Sequence, residues 1–385
     1  MSRSCPPSFR ALRPLGLEAP LRIVLLILVS VVLVALGVVY GLGRGVLGHF
    51  DSETLEPVEV ARPPEAGAEG VTKQRMAAHS VGANDGDRQI LFGDFHAHTT
   101  ISFDAFMMSI PVVGGEGARP PADACDFARH CAALDFWSIN DHASNITATD
   151  WSNTVEAIRQ CNAQAGDPAN PDMVSFLGWE WTQAGLTPDT HFGHKNVVLA
   201  HTDDDRIPAR PIAAALGGTA ANPPPVLTRG MLALQDARYR DLAARWTALS
   251  ETEACPEGSV RDLPLDCAEV APTPAELFRK LDDWGHDAVV IPHGTAWGVY
   301  TPPLSSWDKQ LEGAMHDPER QTLIEIYSGH GDSEVYSDFR TLTRNDEGEL
   351  GCPEPSENYL PTCWRAGEVI EARCLAEGES CLLYT

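Results

Sequence analysis

The sequence predicts an α/β domain carried behind a single membrane-spanning helix, and three observations predict it. Residues 23–42 are an uncharged apolar run of 20 residues, IVLLILVSVVLVALGVVYGL. From Gln89 onward, short and mostly apolar strands alternate with helices, the pattern of a parallel sheet or barrel. The His, Asp and Glu residues that stand out fall at the C-terminal ends of those strands, the edge where parallel α/β architectures gather their active sites.

At about 1.5 Å per residue the apolar run covers a hydrocarbon core of about 30 Å. Arg3, Arg10, Arg13 and Arg22 precede it and only Arg44 follows closely. The positive-inside rule then makes residues 1–22 a basic cytoplasmic tail and sends the rest across the membrane. A cleaved signal peptide usually has an apolar run of roughly 7–15 residues, so an uncleaved inner-membrane anchor is favoured, although Gly41 and Gly43 resemble a small-residue cleavage site. The chain as a whole holds 28 basic and 54 acidic residues, a net charge of −26; residues 45–385 alone carry −30. So anionic a body has no basic surplus with which to neutralise nucleic-acid phosphates. At 43% hydrophobic it is no disordered acidic tail either.

Residues 43–88 are rich in Glu, Ala, Pro and Gly with no sustained period, and read as a flexible acidic linker. Residues 89–345 form the folded body. QILFGDF is its first strand, PADACDFARHCAALD a helix and FWSIN the next strand. Thr149 is placed to cap a helix running to Ala163, and MVSFLGWEW and NVVLA are further strands. A helix is expected over Met231 to Leu249, and another from Pro274, capped by Thr273, to Trp284. AVVIPH, a helix near Leu311 and the strand LIEIYS follow. Residues 346–385 are a cysteine-rich loop segment.

Ten cysteines suit an oxidising compartment. Cys255 with Cys267, Cys352 with Cys363, and Cys374 with Cys381 read as local disulfides. Cys125 and Cys131 lie about 120° apart around their helix, so one of them is expected to pair with Cys161 rather than with the other. Cys5 is cytoplasmic, which leaves an odd number outside.

Five places carry chemistry. In GDFHAHTTISFD, His96 and His98 have the period-two spacing that puts both imidazoles on one side of an extended segment, and Asp104 follows. Two convergent neutral imidazoles suit Zn, Mn or Fe, although a lone H-x-H is more often solvated. FWSINDH ends in Asp141 and His142, blandly a turn with a capping Asp. FLGWEW places Glu180 inside an apolar strand, where a carboxylate must be paired or bind metal. HFGHKNVV offers His194 with His191 as an alternate, and VVIPHGT offers His293, which alone would read as a packing residue. Trp137, Trp179 and Trp181 read as core more readily than as a substrate wall.

In this order the motifs resemble the PHP (polymerase and histidinol phosphatase) metallohydrolase superfamily. FGDFHAHTTISFDA, FWSINDHA, FLGWEW, GHKNVVL and EIYSGHGDSE are most similar to its uncharacterised bacterial branch, domain-of-unknown-function family 3604, over about Gln89 to Arg340. The resemblance implies a distorted (β/α)7 barrel with up to three divalent transition metals. His96 and His98 would bind the first, Glu180 would bridge to a second completed by His194 and His293, and Asp104 and His142 would face a third. Glu180, His142 and Asp104 are then the catalytic candidates, water activated by metal is the attacking group, and a small phosphoester or related ester is the substrate.

One departure matters. The superfamily's motif set ends with an Asp-x-His, and residues 331–385 contain no His; His330-Gly-Asp332 has the opposite order. The expectation is therefore an incomplete barrel, truncated at its C-terminus, with the first and third metal sets each short of one ligand and activity reduced. A degenerate ectodomain that binds a ligand or partner is the alternative function, and a disulfide-stapled adhesion module a third. The charge sharpens the choice, because an anionic body repels phosphate unless local metal ions offset it.

Overall fold

The computed structural model describes residues 18–48 and 90–355, apart from gaps at 111–113, 116–118, 168, 218–222, 299–300, 303–304, 330, 334–342 and 345–346, together with residue 375. The chain begins with α1 (Glu18–Gly43). The next elements are β1 (Gly93–Ala97), α2 (Phe103–Met108), α3 (Pro121–Asp126), β2 (Phe136–Ile139) and α4 (Ala148–Ala163). β3 (Val174–Phe176), β4 (Gly178–Trp181), β5 (His194–Leu199), β6 (Ile212–Ala213), α5 (Val226–Ala233) and α6 (Ala237–Glu251) come next. Then come β7 (Glu269–Val270), α7 (Pro274–Trp284), β8 (Ala288–His293), β9 (Trp297–Gly298), β10 (Tyr327–Ser328) and β11 (Gly331–Asp332), followed by the antiparallel pair β12 (Thr343–Arg344) and β13 (Leu350–Gly351).

The chain divides into two units. One joins residues 1–50 to 223–247, and so contains α1, α5 and most of α6; the other holds the rest. In the first unit, the helix over Pro20–Gly43 is long and apolar enough to cross a membrane, its most apolar 18-residue stretch having a mean hydropathy of 3.2. The predicted span of 23–42 lies inside it.

The second unit is a mixed α/β fold. β1, β2 and β3 form a parallel sheet in the order β1-β2-β3, as the alternating pattern predicts. The remaining large sheet departs from that pattern: β4, β5 and β8 run antiparallel, in the order β8-β5-β4. The segment MVSFLGWEW is two strands rather than one. β3 pairs with β2, the ladder breaks at Leu177, and β4 pairs with β5. No helix lies between Trp181 and His194, and without a crossover the chain can only return antiparallel. A short bridge between His142 and Glu180, with Glu180 N–H donating to the Asp141 carbonyl at 2.9 Å, ties the two sheets together at one edge.

Helix boundaries follow their caps. The cap of α4 is Thr147 rather than Thr149. Asp150 N–H donates to its hydroxyl at 3.2 Å and the Thr147 N–H donates to the Asp150 carboxylate at 2.9 Å, a reciprocal box that Thr149, with Ser152 three residues on, cannot make. α7 has the expected Thr273 cap, with Pro274 in its first turn. The helix expected over 231–249 is two, because Asp236 accepts from the N–H of Arg238 and so starts α6 afresh. Near Leu311 there are only two 3₁₀ turns, and LIEIYS contributes a strand only at Tyr327–Ser328. Trp137, Trp179 and Trp181 are fully buried in one core with Ile139, Ile158 and Leu199.

Cys125 rather than Cys131 pairs with Cys161, with Cα atoms 6.2 Å apart, and Cys131 is an exposed free thiol. Cys255 pairs with Cys267 as expected. Cys352 is disulfide-bonded; Cys363, Cys374 and Cys381, like His330, lie outside the described residues. The Cys125–Cys161 bond closes a separation of 36 residues and ties α3 to α4. In a chain-entropy account such a loop is worth about 4 kcal/mol. Cys125→Ser with Cys161→Ser is expected to lower the melting temperature by several degrees, measured by circular dichroism; an unchanged melting temperature would contradict that assignment.

Candidate metal centre

The site forms where the two sheets meet. β1 carries His96, and His98 follows at its end, so alternation presents both rings to one side; their Nε2 atoms are 3.0 Å apart. β4 carries Glu180, which is wholly buried. His194 opens β5 and His293 closes β8, and the two are cross-strand partners. Gly193, at φ +64°, allows that approach: a Cβ there would stand 2.8 Å from the His293 carbonyl oxygen.

Five imidazoles surround the Glu180 carboxylate. Oε1 lies 2.7 Å from His194 Nδ1 and 3.5 Å from His293 Nε2. Oε2 lies 3.0 Å from His142 Nδ1, 3.1 Å from His98 Nε2 and 3.5 Å from His96 Nε2. Asp104 Oδ2 sits 3.1 Å from His142 Nε2. Among the described residues, four triads have ligand atoms within 4.8 Å of one another: His96, His98 and Glu180; Glu180, His194 and His293; His98, Asp104 and His142; and His96, His293 and Glu325. A carboxylate has about four lone-pair sites. Five imidazoles on one carboxylate, with two ring nitrogens facing each other, is therefore more donor convergence than hydrogen bonding alone uses. A nitrogen-and-oxygen donor set of this kind suits Zn, Mn or Fe. Every residue singled out as a ligand from the sequence (His96, His98, Asp104, His142, Glu180, His194 and His293) stands in one of these groups.

The neighbours set the tautomers. Ser102 Oγ donates to Asp141 Oδ1 at 2.7 Å, and Asp141 also accepts from Thr99 and from the Ser102 N–H. With its single proton so used, Ser102 Oγ must accept from His98 Nδ1 at 2.8 Å. That leaves the His98 Nε2 lone pair turned toward His96 and Glu180. Thr182 Oγ1 donates to Glu180 at 3.1 Å and so accepts from His142 Nδ1 at 2.6 Å, leaving His142 Nε2 facing Asp104. Asp141 does not cap the short helix that follows it, as the bland reading had it; it binds the Thr99–Ser102 turn after β1 and so orients His98 through Ser102. Partners of this kind typically change metal affinity by about 10–100-fold. Ser102→Ala should leave the fold intact and weaken metal binding by roughly tenfold in isothermal titration; wild-type affinity would contradict the relay.

Electrostatics follow from the crowding. Burial alone would lower the His96 pKa, but hydrogen bonds to Glu180 and Glu325 outweigh it and raise it to about 9. His142 is likewise raised to about 10, where Glu180 and Asp104 overcome burial. Glu180 is held well below the ordinary carboxylate range, its burial outweighed by His142 and His194. Asp104 is lowered by His142 in spite of its burial. His293, fully buried, is pushed down to about 3. Folded pKa values above the ordinary 6.5 mean that the stability contributed by the His96 and His142 protons is full below about 6.5 and drains as pH rises through about 9 and about 10. Chelator-treated protein is expected to lose melting temperature between pH 7 and pH 10, read by differential scanning fluorimetry. A flat or rising profile there would contradict the pairing.

His191 does not join the site: its Nε2 donates to the Gly294 carbonyl at 3.1 Å. Glu325 does join it, and was not singled out from the sequence. Its N–H donates to the Pro292 carbonyl, which holds the segment against the end of β8, and its carboxylate lies 2.9 Å from His96 Nδ1 and 3.8 Å from His293 Nδ1. The usable signal was an acid inside the apolar run LIEIY, the same signal that marks Glu180 in FLGWEW. No protein-family model, curated protein or solved structure matches the chain.

Proposed function

We propose that this chain is a divalent-metal-dependent hydrolase of the PHP type, acting on a small phosphoester and tethered to the membrane with its body outside the cytoplasm. The observation that carries the reading is the convergence of five imidazoles, Glu180 and Asp104 at the edge joining the two sheets. Bound ions would supply Lewis acidity and lower the pKa of a coordinated water. His96, His98, Glu180, His194 and His293 would hold one pair of ions, with Glu180 shared between them. Asp104 and His142 would face a third ion, and in its absence the same pair is placed to hold and pass a proton at Nε2.

Glu325 supports the His96 and His98 pair without making up the ligand shortfall expected from the missing Asp-x-His. Its carboxylate takes the Nδ1 side of His96, so it orients that ring with its Nε2 turned inward, the role a second-layer carboxylate plays for a metal-bound histidine. The arginines ahead of the apolar run and the disulfides of the body support the orientation in the membrane.

Metal content and turnover of the detergent-solubilised chain test the proposal. Mass spectrometry after equilibration with Mn²⁺ or Zn²⁺ and gel filtration should find bound divalent metal, reduced in His98→Ala and Glu180→Ala. Glu325→Ala should weaken binding by about 10–100-fold without abolishing it. A metal-free wild type would overturn the reading. Bound metal with no turnover of phosphomonoesters or phosphodiesters would favour the alternative, a ligand-binding ectodomain.

A further inference from the structure

The helices α5 and α6 interrupt the body between β6 and β7, yet group with α1 rather than with either sheet. Within that unit α5 crosses the last turns of α1 at backbone contact. A Cβ on Gly230 would stand 1.8 Å from the Val39 carbonyl oxygen, and one on Gly43 would stand 1.9 Å from that of Val226. Only glycine permits so close a crossing. The buried side of α5 is Arg229, Gly230 and Ala233.

Its other side is apolar and open. Leu227, Met231 and Leu234 follow i, i+4, i+7 spacing and are 46%, 63% and 55% exposed. Val46 and Leu47, in the turn directly after α1, are 71% and 56% exposed. This apolar surface continues that of α1 at the end of a helix apolar enough to span a bilayer. Charge is consistent with this. At this end of the unit the basic residues that are not buried are Arg44, Arg238 and Arg240, against Asp236 and Asp241, a small positive excess in a chain whose net charge is −26.

We infer that α5 is an interfacial helix, seated in the outer edge of the lipid bilayer with Leu227, Met231 and Leu234 among the acyl chains. Two observations converge on lipid as the occupant, the exposed apolar stripe and its continuity with a helix apolar enough to span a bilayer, and the small local excess of arginine is compatible with anionic headgroups. The surface is independent of the metal centre and stands whether or not the chain is a hydrolase.

Photocrosslinking of the full chain in phosphatidylethanolamine–phosphatidylglycerol nanodiscs tests it. A diazirine amino acid is placed at position 231, at 227, at Leu186 as an aqueous reference (94% exposed), and at Val29 as a reference within the span. Intact and peptide mass spectrometry should show lipid adducts at 231 and 227 in several-fold excess over 186 and comparable to 29. Water adducts only at 231 and 227 would overturn the inference, as would adducts between two copies of the chain, which would make the stripe a protein interface. Lack of lipid adducts at 29 would remove the span, and the interfacial helix with it.

Discussion

The burial of one carboxylate governs the architecture of the body. Glu180 lies on a strand with no access to solvent, where an unpaired carboxylate would cost several kcal/mol. Its oxygens are met by imidazoles from β1, β5, β8 and the end of β2. Each sheet therefore contributes to neutralising the same group, and the bridge from His142 to Glu180 fixes the seam between the sheets. The same charge compensation gives the site the makings of a cation site, because protons on His96 and His142 stand among groups that could hold a divalent ion.

Rigidity around the imidazoles comes from hydroxyls whose single protons are already committed. Ser102 is held by Asp141 and Thr182 by Glu180, so each can only accept from its histidine. The loop after β1 is thereby organised from the opposite strand end: Asp141 gathers the N–H groups of Thr99 and Ser102 together with both hydroxyls. A residue that sequence alone marks as an ordinary cap thus links backbone geometry to ligand orientation.

Much of the site was legible in sequence because its signals are local. Period-two spacing made His96 and His98 neighbours, and a carboxylate in an apolar strand marked Glu180. The antiparallel pairing that sets His194 opposite His293 was not legible, since alternating strands and helices read as a parallel sheet and the break at Leu177 carries no turn residue of its own until Gly178. Glu325 escaped because it sits in a segment that reads as a strand yet meets β8 through a single backbone hydrogen bond to Pro292. The grouping of α5 and α6 with the apolar helix was invisible for a related reason: it depends on glycine-mediated contact between segments far apart in the chain.

The central claim, that the carboxylate and its imidazoles bind a cluster of ions, is most directly tested by X-ray absorption spectroscopy of the Mn- or Zn-loaded chain. The expected spectrum has a nitrogen–oxygen shell with imidazole scattering and a second metal at about 3.5–4 Å. A sulfur shell, or a shell of oxygen alone, would contradict it.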